Sequence, residues 1–111
     1  MIQANEARNF RIGNIVYCSD TKENVELNVH GIMRIATKGA ENLDPIELSP
    51  DILDKIDWNG YVKLNIGSYF KIDEVGHLFY RSDYTGINID YLHQLQNLYF
   101  ALTGKEITYN Q

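Results

Sequence analysis

The second half of the chain contains four short strand-like segments in close succession: 61–66, 69–72, 77–81 and 85–89. Apolar and polar residues alternate in the first two, as expected for strands that bury one face, and the last two are rich in β-branched and aromatic residues. Only two to four residues separate neighbouring segments. Because a parallel pair needs a connection of a dozen or more residues, the pattern predicts an antiparallel meander.

An amphipathic segment follows the meander at residues 90–103. Its apolar residues recur at intervals of three and four: Tyr91, Leu92, Leu95, Leu98, Tyr99 and Leu102. This spacing predicts a helix, with Asp90 as its N-cap and Gly104 as a left-handed residue after its end. We expect the helix to pack its leucine stripe across the sheet.

The first half of the chain gives weaker signals. Residues 10–18 are predicted to form a first strand, and 25–37 a bent strand in which Gly31 marks a bulge. Residues 45–48 are predicted to be an edge strand at most. Ser49 and Pro50 are typical of a helix start, and the turn at 58–60 would end this short central helix.

These elements predict a single α+β domain over residues 1–111, a length typical of one domain. The expected architecture is a bent, mainly antiparallel sheet with a short central helix and a C-terminal amphipathic helix packed on it. A barrel-like arrangement of the first half stays open at this point.

The charge of the chain is negative and concentrated. The formal net charge is -5, and residues 41–57 alone carry six acidic side chains and one Lys. A nucleic-acid binder usually has a basic surplus, so this composition disfavours one. The acidic segment is either a solvated face or a patch for a basic partner, which includes mimicry of a nucleic acid. Its candidate interaction residues are Asp51, Asp54, Asp57 and Trp58.

No constellation of residues predicts catalysis, a metal site or a cofactor. Cys18 is the only cysteine, and the three histidines have no metal-ligand spacing. Cys18 lies in an apolar segment, where a thiol usually behaves as a small core residue. We expect neither an enzyme nor a membrane protein, since no apolar run is long enough to span a bilayer and no secretory signal is present. A cytoplasmic location is the expectation.

The predicted C-terminal helix also carries a group of polar residues away from its leucines: His93, Gln94, Gln96 and Asn97. They form either an exposed polar face or a buried amide network or partner contact, since amides both donate and accept hydrogen bonds. Eleven of the thirteen aromatic residues lie from Trp58 onward. Most are expected in the sheet and core, while exposed tyrosines would suit protein contacts, or base stacking beside a basic groove.

Three motifs carry a family resemblance: FRIGNIV at 10–16, PIELSP at 45–50 and YLHQLQNLYFALTGKE at 91–106. In this order they resemble a family of small proteins encoded in prophages and mobile elements of gut anaerobes. Glu47, Ser49 and Lys105 depart from the family pattern, which tends to have Pro, Thr and Glu there. The resemblance implies no activity, but it favours a cytoplasmic accessory role.

The sequence therefore favours a non-enzymatic protein-interaction module of a prophage or mobile element. The alternative is a nucleic-acid-associated protein that either binds single strands through its aromatic residues or imitates a nucleic acid with its acidic ones.

Overall fold

The computed structural model describes residues 1–58, 60–65, 68–73 and 75–110. They form an α+β fold with two antiparallel sheets. A 3-10 helix at Ala4–Asn9 precedes the first sheet, which has the order β2-β1-β3. The elements of this half are β1 (Ile15–Cys18), β2 (Glu23–Glu26), α1 (Val29–Lys38) and β3 (Leu43–Asp44). The three-stranded sheet is open, so the barrel-like arrangement considered for the first half is absent from the described residues.

The predicted bent strand at 25–37 is wrong beyond its first residues. The chain leaves β2 at Glu26 and forms the helix α1, which begins after Asn28. The Asn28 side chain accepts a hydrogen bond from the Gly31 amide at 2.9 Å and so caps the helix. Gly31, expected to be a bulge, lies within the first turn. Ile32 and Ile35 are three residues apart, and both pack toward the first core. A helix places residues at this spacing on one face, whereas a strand would place them on opposite faces, so the packing favours the helix.

The second half contains α2 (Pro50–Leu53), β4 (Tyr61–Asn65), β5 (Ser68–Ile72), β6 (His77–Tyr80), β7 (Asp83–Asn88) and α3 (Leu92–Thr103). Strands β4 to β7 pair in chain order and antiparallel, which confirms the predicted meander. Three of the predicted turns include residues outside the described part of the chain: residue 59, residues 66–67 and residue 74. The predicted edge strand at 45–48 is reduced to an isolated bridge between Glu47 and Tyr91.

The central helix begins as predicted and ends earlier. The Ser49 hydroxyl accepts a hydrogen bond from the Ile52 amide at 3.2 Å, as expected for an N-cap. The last helical residue is Leu53, whereas the sequence predicted that the helix would continue to the turn at 58–60. Beyond it, Ile56 forms a bridge with Tyr109, and the Asp57 amide donates to the carbonyl of Thr108. The chain leaves the helix because its backbone pairs with the C-terminal segment.

The predicted C-terminal helix is confirmed as α3, with one shift at its start. Tyr91 is the N-cap in place of Asp90, and the Gln94 side chain accepts hydrogen bonds from both of their amides. Gly104 has a φ of 71° and ends the helix in the left-handed conformation, as predicted. Leu92 and Leu95 are fully buried. The leucine stripe therefore packs inward, as expected.

Two core clusters lie on either side of β1. The first holds Ile2, Phe10, Val16, Cys18, Leu27, Ile35, Ala40 and Leu43. The second holds Ile15, Ile56, Ile72, Leu78, Ile89, Leu92, Leu95 and Ile107. Alternation along β1 sends Ile15 to one cluster and Val16 to the other. Among the described residues no helix has both the length and the apolar character needed to cross a membrane.

Candidate functional site

Two of the four polar residues of α3, His93 and Gln96, are buried, and the other two, Gln94 and Asn97, are half-buried. Gln96 is 2% exposed, and its Oε1 accepts from the backbone amide of Ile15 at 2.8 Å. Its Nε2 donates to the carbonyl of Gly13 at 3.1 Å. Gln96 therefore completes the backbone hydrogen bonding at the start of β1, where the ladder itself supplies no partner.

Asn97 extends this network toward the N-terminus. Its Oδ1 accepts from Asn14 Nδ2 at 2.8 Å, and its Nδ2 donates to the carbonyl of Asn9 at 3.1 Å. Arg11 adds an ion pair with Glu106 and lies over the ring of Phe100, with 4.4 Å to the ring centroid. These bonds fix α3 to the first turn and β1, so Gln96 and Asn97 hold the two halves of the fold together.

His93 is buried beside the same network and is 4% exposed. Its ring stacks on the ring of Phe10, with 4.1 Å between the ring centroids, and its centroid lies 5.8 Å from that of the Tyr91 ring. Burial lowers the pKa of His93 to about 4, so the ring is neutral at pH 7. The expectation of an exposed polar face is thus wrong for His93 and Gln96, and neither can contact a partner from inside the core.

Cys18 is buried in the first core, as its apolar surroundings suggested. Hydrogen bonds from Thr21, in the turn after β1, lower the pKa of the Cys18 thiol. Its sulfur also accepts from Asn42 Nδ2 at 3.6 Å. Within the described part of the chain no three His, Cys, Asp or Glu side chains are grouped closely enough to hold a metal ion.

The acidic candidate residues are exposed. Asp51, Asp54 and Asp57 all lie at the surface, whereas Leu53 and Ile56 between them turn toward the second core. Within α2 the helical start at Ser49 leaves Asp51 outside and turns Leu53 inward. Beyond the helix, Ile56 is buried where it pairs with Tyr109, while Asp54 and Asp57 stay exposed. The three carboxylates therefore lie on the solvent side of residues 51–57, and Leu53 and Ile56 lie on the core side.

Trp58 is half-buried and forms one wall of an apolar cavity of about 220 Å³. Its Nε1 donates to the carbonyl of Tyr61 at 2.9 Å, and its ring lies 5.0 Å from that of Tyr99. The cavity is lined by Leu53, Ile56, Trp58, Gly60, Ile72, Asp73 and Leu95. The sequence pointed to Trp58 and its acidic neighbours, but the other walls come from β5 and α3, which no local pattern connects to them.

Asp73 is the one charged residue of this lining among the described residues. Burial alone would raise its pKa, but the carboxylate accepts hydrogen bonds from the amides of His77 and Val75 and contacts the His77 ring at 2.9 Å. Together these contacts lower the pKa of Asp73, so it is ionised at neutral pH. Its oxygens are already bonded within the β5–β6 connection, which makes Asp73 a fixed negative charge.

This arrangement is suited to binding. The apolar cavity is lined by Leu53, Ile56 and Trp58, which are interleaved in the chain with three exposed aspartates, and Asp73 adds a fixed carboxylate to the lining. No family model, no curated protein and no solved structure matches this chain, so its function has to be inferred from this geometry.

Proposed function

We propose that this protein is a non-enzymatic interaction module that binds a basic segment of a partner protein. The binding site is the acidic segment with the cavity beside Trp58, and the module acts as a cytoplasmic accessory protein of a prophage or mobile element. The observation that carries the proposal is that Leu53, Ile56 and Trp58 line an apolar cavity, while the aspartates interleaved with them in the chain, Asp51, Asp54 and Asp57, are exposed.

The size of the cavity supports a side chain as its occupant. Cavities that hold cofactors and drug-sized ligands measure about 300–1,000 Å³. The cavity here is about 220 Å³. It therefore suits one large apolar side chain that enters as an anchor, which is how a few buried contacts provide most of the binding energy at protein interfaces.

The charges around the cavity select the rest of the partner segment. Asp51, Asp54 and Asp57 are in the stretch 41–57 that accounts for a charge of -5. Exposed carboxylates add little affinity each, but together they attract a basic segment and raise its association rate at low salt. A lysine- or arginine-rich segment with one apolar residue in its centre fits both features.

The only tryptophan of the chain makes the proposal directly measurable. We would titrate the protein with a peptide of one leucine flanked by two lysines on each side, and follow Trp58 fluorescence. Entry of the leucine should shift the emission of Trp58, and the affinity should fall as salt rises. A peptide with glycine in place of leucine should bind more weakly, and one with glutamates in place of lysines should not bind.

A pair of charge-matched variants separates this site from general electrostatics. The double variant Asp54→Asn/Asp57→Asn should weaken binding several-fold, since two exposed carboxylates near the cavity are lost. Glu23→Gln/Glu26→Gln removes the same charge from β2 and should leave the affinity nearly unchanged. Equal losses in the two double variants, or a Trp58 emission that no peptide alters, would refute the proposal.

A further inference from the structure

A second surface lies on the face of the meander opposite the cavity. The register pairs Tyr61 with Lys71, Lys71 with Phe79, and Phe79 with Tyr84. Residues paired in this way point to the same face, so the four side chains form one row across all four strands. Neighbouring strands are about 4.8 Å apart, which gives the row a length of about 14 Å.

This row faces away from the second core. Ile72 and Leu78 alternate with its members along β5 and β6, and they belong to the core. Tyr61 is 43% exposed and Tyr84 is 50% exposed, and Lys71 also lies at the surface. Phe79, and Tyr69 beside the row, are half-buried, so this face presents two exposed and two half-buried aromatic rings. We call the four residues of the row and Tyr69 the aromatic platform.

The rings of the platform support one another as a surface. Tyr61 and Tyr69 lie 5.1 Å apart, and Phe79 and Tyr84 lie 5.7 Å apart. Tyr84 is also held by a hydrogen bond from its hydroxyl to Asn88 at 2.6 Å. Ring positions fixed in this way reduce the side-chain conformational entropy that the protein would lose on binding a ligand.

Charged groups of both signs lie within and beside the platform. Lys71 stands between Tyr61 and Phe79 in the row. The ionised Asp73 and the exposed Arg81 border the same surface depression as Lys71, and the Arg81 guanidinium lies 5.7 Å from the centroid of the Tyr80 ring. Residues 60–89 carry three basic and three acidic side chains, so the meander does not share the negative charge of residues 41–57.

We propose that the aromatic platform binds single-stranded nucleic acid. Every base has a π-face, and exposed aromatic side chains on an open sheet stack two or three bases while cations contact the phosphates. A row of about 14 Å with Lys71 among its rings provides both contacts. The platform shares none of its five residues with the cavity, but Asp73 borders both surfaces, since it lines the cavity and also lies with Tyr69, Lys71 and Phe79 along one surface depression.

The test uses the full chain and a fluorescently labelled oligothymidylate of fifteen nucleotides. Fluorescence anisotropy should show binding at low salt that weakens as salt rises, with a logarithmic slope of about -1.4 for contacts of Lys71 and Arg81 with two phosphates. Double-stranded DNA of the same length should bind more weakly, since its bases are not free to stack on the rings. Absence of any anisotropy change at low salt would overturn the proposal.

Substitutions by leucine keep the apolar volume and remove the π-face. Phe79→Leu and Tyr84→Leu should each weaken binding on the order of tenfold. Lys71→Gln should reduce the salt slope by about 0.7. Phe100→Leu is the matched control, because this exposed ring also lies beside an arginine but belongs to α3. Circular dichroism of each variant shows whether the fold is kept.

Two results would assign the platform differently. If Phe100→Leu weakens binding as much as the platform variants, the contact is not at the platform. If oligothymidylate fails to bind while Phe79→Leu and Tyr84→Leu weaken binding of the lysine–leucine peptide, the platform is a protein contact. Either result would overturn the nucleic-acid proposal, and the peptide titration of the aspartate variants tests the Trp58 site separately.

Discussion

The substitution Gln96→Leu tests the role of the amide network between α3 and β1. Leucine has nearly the same size as glutamine, so it fills the site without a large cavity. It leaves the amide of Ile15 and the carbonyl of Gly13 without the partners that Gln96 provides at 2.8 and 3.1 Å. Because Gln96 is 2% exposed, water has little access to replace these bonds.

The cost follows from the two backbone groups that lose their partner. An unsatisfied buried donor or acceptor costs about 1–3 kcal/mol, and the greater apolar character of leucine offsets about 1 kcal/mol of the total. We therefore expect the free energy of unfolding to fall by about 1–5 kcal/mol. For a chain of this length that corresponds to a decrease in Tm of roughly 4–20 °C.

Urea denaturation followed by circular dichroism and by Trp58 fluorescence measures this loss. Gln94→Leu is the matched control, since it makes the same change in the same helix but affects the amides of Asp90 and Tyr91, which are nearer to solvent. The control should lose about 1 kcal/mol, as expected for a helix cap. A loss below about 1 kcal/mol for Gln96→Leu, or equal losses in the two variants, would contradict the assignment of a buried network.

Three further predictions concern the pH dependence and the backbone of the fold. The folded state keeps His93 neutral with a pKa of about 4, below the unfolded value of 6.5, so the unfolded state binds more protons between these values. Stability should be complete above about pH 6.5 and fall by roughly 3 kcal/mol toward pH 4; His93→Phe should flatten this part of the pH profile, and an unchanged profile would contradict the assignment. Gly76→Ala should prevent stable folding, because a Cβ there would lie 2.0 Å from the carbonyl oxygen of Ile89. Gly86→Ala also has a positive φ but no atom within 4 Å, so it should cost only about 1–2 kcal/mol in urea melts, and equal losses would refute the steric reason. Asn28→Ala should remove the cap of α1 and cost about 1 kcal/mol, measured as a lower urea midpoint, whereas no loss would speak against that cap.

The parts of the fold that were predicted depend on neighbours in the sequence. The meander follows from segments that are separated by a few residues, and α3 follows from a leucine spacing that one helix satisfies by itself. Ser49 and Gly104 were identified as helix ends because a cap needs only the next few amides or carbonyls. The strand predicted over most of residues 29–38 was wrong because that prediction also used a local pattern alone. The alternation in this segment is local, but the contact of Ile35 with the first core is not, and that contact selected the helix.

The candidate site was also predictable only where it depends on residues that are close in the sequence. The acidic residues from Asp51 to Asp57 were identified from charge alone, but only Asp51 lies in the short helix, and the segment of Asp57 is set by its pairing with the distant residues Thr108 and Tyr109. The cavity beside them needs Ile72 and Leu95, which come from a strand and a helix elsewhere in the chain. The aromatic platform likewise depends on register, since Lys71 stands between Tyr61 and Phe79 only when β4, β5 and β6 pair in this particular way.

The amino-acid sequence by itself determined the periodic elements, the turns and caps between them, and the location of the negative charge, because each depends on side chains a few positions apart. The tertiary structure alone decided that His93 and Gln96 are internal. The amide of Ile15 that Gln96 satisfies is 81 positions away. A polar residue is buried only where such a distant partner replaces the water it loses, and no local pattern records that partner.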